Sequence, residues 1–106
     1  MREIPSPEWP QFLEQLGRER RAWLASVERA GLVEAREEPL ESISAREGID
    51  IRIGGKAIHV DEPRSVRIED SAQTLQIDDA QGRRLTLRFR VAIAPGALDG
   101  IAPSER

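Results

Sequence analysis

The chain of 106 residues has no cysteine and no tyrosine, one histidine, one methionine, two tryptophans and two phenylalanines. Without cysteine there are no disulfides, no thiolate nucleophiles and no Cys-based metal or iron–sulfur sites. The single histidine, His59, leaves no second imidazole for a zinc site, so a metal would need carboxylates brought from elsewhere. We expect no metal and no cofactor. Long apolar runs are also missing. No segment approaches the length that spans a bilayer, and Met1–Pro5 leads into polar sequence without a signal-peptide pattern. The expectation is a cytoplasmic protein with no membrane partner. An excess of either charge is absent too: 16 Lys and Arg against 19 Asp and Glu give a net charge of -3. That balance argues against a dedicated nucleic-acid binder, although a local basic face survives an acidic total. Lys56 is the only lysine beside the arginines, which we read as the mark of a GC-rich bacterial genome.

What is present suits one folded domain over 1–106, with 39% apolar and 33% charged residues. We expect residues 1–5 and 103–106 to be flexible.

The clearest local signal is Thr74–Arg90, a β-hairpin. Leu75 and Ile77 alternate with polar residues on the way in, as do Leu85, Leu87 and Phe89 on the way out, so each apolar set lies on one face. Ala80-Gln81-Gly82 fits a three-residue turn with glycine in the left-handed region, and Asp79 suits its first position. If Asp79 pairs with Arg83, Ile77 faces Leu85, Leu75 faces Leu87 and Asp78 faces Arg84. Apolar then opposes apolar and acid opposes base.

Toward the N-terminus, Ser6-Pro7 reads as a helix start. Trp9, Phe12, Leu13 and Leu16 form one apolar stripe, and Gly17 is the expected stop. Trp23, Ala25 and Val27 alternate with Leu24, Ser26 and Glu28, so 20–28 reads as a strand, although helical spacing also accommodates part of it. Pro39 points to an edge or irregular strand over Leu40–Ala45, with a short one at Val33–Arg36 before it. Ile49–Ile53 and Lys56–Val60 form a hairpin about Gly54-Gly55, and Ser65–Glu69 is a further strand. Val91, Ile93, Leu98 and Ile101 are candidates to fold back onto the body. The sum is an α+β domain: an N-terminal helix packed on a curved, mostly antiparallel meander sheet of about six or seven strands, a roll or partly open barrel.

Chemistry is thin. His59, with Asp61 and Glu62 close by, is the lone candidate acid or base. No serine sits in a nucleophile elbow, Gly54-Gly55 lacks a phosphate-loop pattern, and the adjacent acidic pairs do not converge as a glycosidase pair would. We name no catalytic residue and no metal ligand. Arg52, Arg67, Arg84, Arg88 and Arg90 occupy outward positions and would form an anion-binding sheet face if their strands were neighbours. Without aromatics for base stacking, that face suits phosphate or carboxylate better than bases.

Trp9-x-x-Phe12-Leu13-x-x-Leu16, Trp23 with Glu28, Pro39-Leu40-Glu41-Ser42-Ile43, Leu75-x-Ile77 and Leu87-x-Phe89 together resemble a small bacterial family of uncharacterised single-domain proteins of similar length. The resemblance implies a stand-alone bacterial domain with no assigned activity and supplies no site residue. The expected function is non-enzymatic: a protein-interaction or homodimerising domain, using a surface that includes Trp9, Phe12, Leu40, Ile43, Leu98 and Ile101. Anion or nucleic-acid binding through the arginine face is the first alternative, and a hydrolase-like enzyme using His59 the second.

Overall fold

The computed structural model describes residues 1–71 and 73–91. Leu98, Ile101, the expected return of the tail and residues 103–106 lie outside the described residues. Within them the chain runs β1 (Arg2–Glu3), a 3-10 turn (Ser6–Glu8), α1 (Trp9–Glu19), β2 (Leu24–Arg29), β3 (Leu32–Ser44), β4 (Ile49–Ile53), β5 (Lys56–Val60), β6 (Pro63–Ile68), β7 (Thr74–Asp79) and β8 (Arg84–Arg90). The strands form one antiparallel sheet in the order β1-β6-β7-β8-β2-β3-β4-β5, which does not close into a barrel. The expected α+β meander with an N-terminal helix is therefore present, with eight described strands instead of six or seven.

The extra strand comes from the lead-in expected to fray. Arg2 pairs with Ile68 and Glu3 with Arg67. The Ile4 N–H donates to the Val66 carbonyl at 2.8 Å, and the Ile4 side chain is buried in the core.

The β7–β8 hairpin has the register that its sequence dictates: Ile77 opposite Leu85, Leu75 opposite Leu87, Asp78 opposite Arg84. Gly82 takes φ +80°, the left-handed conformation that the three-residue turn requires. Leu75, Ile77, Leu85 and Leu87 are all at most 1% exposed. Slipping either strand by one residue would turn its apolar set to the opposite face.

Three expectations are corrected. Ser6 caps nothing. It opens the 3-10 turn, and α1 begins at Trp9 with Pro10 in its first turn, where an N–H has no helical partner to lose. Gly17 does not end α1 but lies inside it, buried, where a Cβ would come 2.7 Å from the Ile43 backbone nitrogen. The missing side chain lets the helix lie directly against β3. Third, Leu40–Ala45 is no edge. β3 is a 13-residue strand that pairs first with β2 and then with β4. Pro39 is tolerated where the β4 ladder begins and uses only its carbonyl, which accepts the Gly54 N–H at 3.0 Å. Just before it a bulge places Glu37 at φ +48°, and its N–H donates to Ser26 Oγ at 3.0 Å. The bulge lets β3 change direction between its two partners.

The choice of strand over helix after Gly17 agrees with β2, which starts only at Leu24. The core is continuous: isoleucines of β4 and β5, the inward residues of β6, β7, β8 and β2, and Leu13 and Leu16 of α1 form one cluster. Each of these two leucines, essentially out of water, contributes about 1.5–3 kcal/mol of burial. Trp9, Phe12 and Trp23 pack against the cluster while half-buried.

Candidate functional site

The residues nominated from sequence separate once placed. His59 projects from the outer face of β5, opposite Asp50 of β4. Its Nδ1 lies 2.6 Å from Asp50 Oδ1 and its Nε2 3.9 Å from Asp61 Oδ1, with the side chain 46% exposed. It lines none of the clefts described below. Among the described residues, no group of three or more His, Asp and Glu side chains is placed to hold a metal ion.

The five arginines all occupy outward positions of the sheet but do not form one patch. Arg84, Arg88 and Arg90 follow one another along β8, and Arg67 lies two strands away on β6, but Arg52 is on β4, across β2 and β3 from β8. Two of the three on β8 are already engaged. Arg84 Nε donates to Asp78 Oδ1 at 2.8 Å, and Arg90 pairs with Glu37. The bond from Arg84 is the main influence that holds the Asp78 carboxyl below its ordinary range. Arg88 alone on β8 has no ion-pair partner among the described residues.

The nominated apolar surface is corrected as well. Leu40 and Ile43 are 1% and 2% exposed and belong to the core. Three residues apart, they would face opposite sides of a regular strand, but the register shift between Leu40 and Ser42 turns both inward. Trp9 and Phe12 are half-buried: the Trp9 indole N–H donates to the Ile4 carbonyl at 2.8 Å, and the Arg2 guanidinium lies over the Phe12 ring.

Exposed apolar surface lies instead at the tip of the β2–β3 hairpin. Ala30 and Gly31 form its turn, both with positive φ. Beyond them Leu32 is 71% and Val33 54% exposed. Val33 stands opposite Glu28, which in turn stands opposite Thr86 of β8, so Val33 is the apolar member of an outward row. Leu32, opposite Arg29, lies on the other side of the strand. A shallow depression of about 140 Å³ beside Val33 is lined by Ser26, Glu28, Arg36, Thr86 and Arg88. Glu28, Arg36 and Arg88 have no ion-pair partner among the described residues. Sequence reasoning missed this tip. Leu32-Val33 directly after Gly31 was a usable signal, since two adjacent strand residues cannot both face one core.

Two clamps hold the tip and its neighbourhood. Arg29 grips Glu34 with two bonds of 2.8 Å across the hairpin, and its third nitrogen donates to the His59 carbonyl of β5 at 2.7 Å. The fork on Glu34 raises the Arg29 pKa and lowers that of Glu34. At the β7–β8 turn, Asp79 Oδ1 accepts the Gln81 and Arg83 N–H groups at 2.9 Å each, and Arg83 Nε reaches Oδ2 at 2.9 Å. Burial pushes Asp79 upward, but these donors outweigh it and leave the carboxyl below its usual range.

No protein-family model, curated protein or solved structure matches the chain. No described helix is long and apolar enough to cross a membrane.

Proposed function

We propose that the protein is a non-enzymatic domain that works by a protein contact, made with a second copy of itself through the β2–β3 hairpin tip. The observation that carries this reading is the exposure of Leu32 and Val33 on a hairpin clamped by Arg29. The tip is thus a fixed apolar feature. An apolar centre bordered by unpaired charge is the usual anatomy of an interface. The border carries both signs, Glu28 beside Arg88 and Arg36. A two-fold-related copy brings its Glu28 to the first copy's Arg88, and the reverse, as a self-complementary patch requires. His59, paired on an exposed sheet face, gives no comparable support to a hydrolase.

Sedimentation velocity over a hundredfold concentration range tests this, with wild type beside Leu32→Ser/Val33→Ser. Both side chains lie outside the core, so the variant keeps its circular dichroism spectrum and its denaturation midpoint. We expect a concentration-dependent dimer in the wild type and a monomer in the variant. A wild type that stays monomeric throughout, or a variant that dimerises equally well, rejects the reading.

A further inference from the structure

The arginine face read from sequence dissolves in the structure, but one of its members belongs to another cluster. The C-terminal half of α1 and the β3–β4 hairpin enclose an open cleft of about 480 Å³, within the size range of small-molecule sites. Among the described residues, four arginines line it: Arg18 from α1, Arg21 just beyond it, Arg46 from the β3–β4 loop and Arg52 from β4. We propose that this cleft is a binding site for a small ligand carrying two or more phosphate groups.

The charge balance favours an anion. Among the described residues, Glu14 and Glu41 are the acidic ones on the cleft wall. Glu41 is already in use: its Oε2 accepts the Gly55 N–H at 2.8 Å, and its other oxygen is a loose 4.0 Å from Arg52. Among the described residues, Arg18, Arg21 and Arg46 have no carboxylate within ion-pair distance. Asp50, opposite Ser44 on the neighbouring strand, is held by His59. The C-terminal end of α1 contributes about half a negative charge. Against four guanidinium groups and two carboxylates, that leaves the cleft positive. A whole chain of net charge -3 has therefore concentrated positive charge in one concavity, where focusing of the field is strongest.

The chemistry of the wall narrows the ligand. Guanidinium forks match phosphate oxygens in pairs, and the Ser42 and Ser44 hydroxyls on the same wall are further donors. Four separate guanidinium groups exceed what a single monoanion engages, which favours linked phosphates. No aromatic side chain lines the cleft, so a nucleobase has no ring to stack on and a single-stranded nucleic acid is disfavoured. Gly17 shapes the site. Because it lacks a Cβ, α1 approaches the Ile43 backbone closely, which brings Arg18 of the helix, and Arg21 just after it, to the strand that carries the serines.

Isothermal titration calorimetry with inorganic pyrophosphate and tripolyphosphate, at low and at high salt, tests the proposal. Orthophosphate and a short single-stranded oligonucleotide run alongside. The variants are Arg46→Ala, Arg18→Ala/Arg46→Ala, and Arg64→Ala, whose exposed side chain on β6 lies outside the cleft. All the replaced side chains are exposed, and a circular dichroism spectrum verifies each fold. We expect saturable pyrophosphate binding that weakens at high salt. Affinity should fall at least tenfold in the double variant, fall less in Arg46→Ala, and stay unchanged in Arg64→Ala. Absence of binding at millimolar ligand overturns the site. Equal losses in Arg64→Ala and Arg46→Ala would reduce the effect to net charge and also overturn it. Binding of the oligonucleotide without pyrophosphate overturns the assigned ligand class. None of these outcomes bears on the hairpin-tip contact, which involves other residues.

Discussion

At the scale of single residues, Gly17 reads from the sequence as a helix stop, and the structure gives it a different role. As a helix stop it would tolerate a side chain poorly because of its backbone angles. As a contact point it tolerates one poorly because of what lies opposite. The structure selects the second: Gly17 is within α1, 2.7 Å in Cβ terms from a backbone atom of β3. Gly17→Ala gains about 1 kcal/mol in helix propensity. It also forces helix and strand apart, and overpacking of this kind costs about 1–3 kcal/mol. Because the atom in the way is backbone and cannot rotate aside, the steric cost wins. We expect a net loss of up to about 2 kcal/mol in urea denaturation, and an unchanged or raised midpoint would show that the helix can lift without penalty. The glycine identity was legible in the sequence. Its reason was not, because the opposing atom is 26 positions away along the chain. Asp79 is the opposite case, since its turn role follows from neighbours within four residues, and the structure places all three donors there.

The same division by distance holds for whole elements. Hairpins set by adjacent residues were legible: β7–β8 in full register, and β4–β5 about Gly54-Gly55. What failed was pairing over long separations. β1 finds its partner more than sixty residues later, and two residues give no periodicity to read. β3 was split because proline normally marks an edge, and nothing local announces that a strand changes partners at that proline. The candidate sites followed the same rule. The arginine face needed a strand order that alternation alone does not supply, while Leu32-Val33 broke alternation openly. A further element-scale device was also invisible: Arg29 joins the β2–β3 hairpin to the β5 edge through the His59 carbonyl. β5 ends the sheet, so this bond occupies a group that an exposed edge would otherwise present to another chain. Arg29→Met keeps the apolar stem and removes three donor contacts. Hydrogen exchange followed by mass spectrometry should then show faster exchange in β5 and in β3 near Glu34, with β7 unchanged. Equal rates in β5 would mean that the edge is held by β4 alone.

For the whole molecule, the carboxylates give stability a pH dependence with a defined sign. Asp78, Asp79 and Glu34 all have folded-state pKa values below their ordinary ones, through bonds from Arg84, the 81–83 turn and Arg29 respectively. A carboxylate of this kind binds its proton more readily unfolded than folded. Its stabilisation is complete above the unfolded value, about 4, and is lost as pH falls through the lowered folded value. The stability of the wild type should hold from pH 7 to about 5 and fall below about pH 4. General repulsion contributes as well, since protonating the acids leaves sixteen Lys and Arg and one His charged in a small body. The two causes separate in Glu34→Gln/Asp78→Asn. That variant cannot lose these two ion pairs to acid, yet it has the same positive charge once all acids are protonated. Urea midpoints at pH 7 and pH 3 should show it less stable than wild type at pH 7 and closer to it at pH 3. The buried turn at Asp79 supplies the acid sensitivity that remains. Equal drops in both proteins would assign acid unfolding to repulsion and the Asp79 turn, and the Glu34 and Asp78 ion pairs would then be register devices with no share in the pH response.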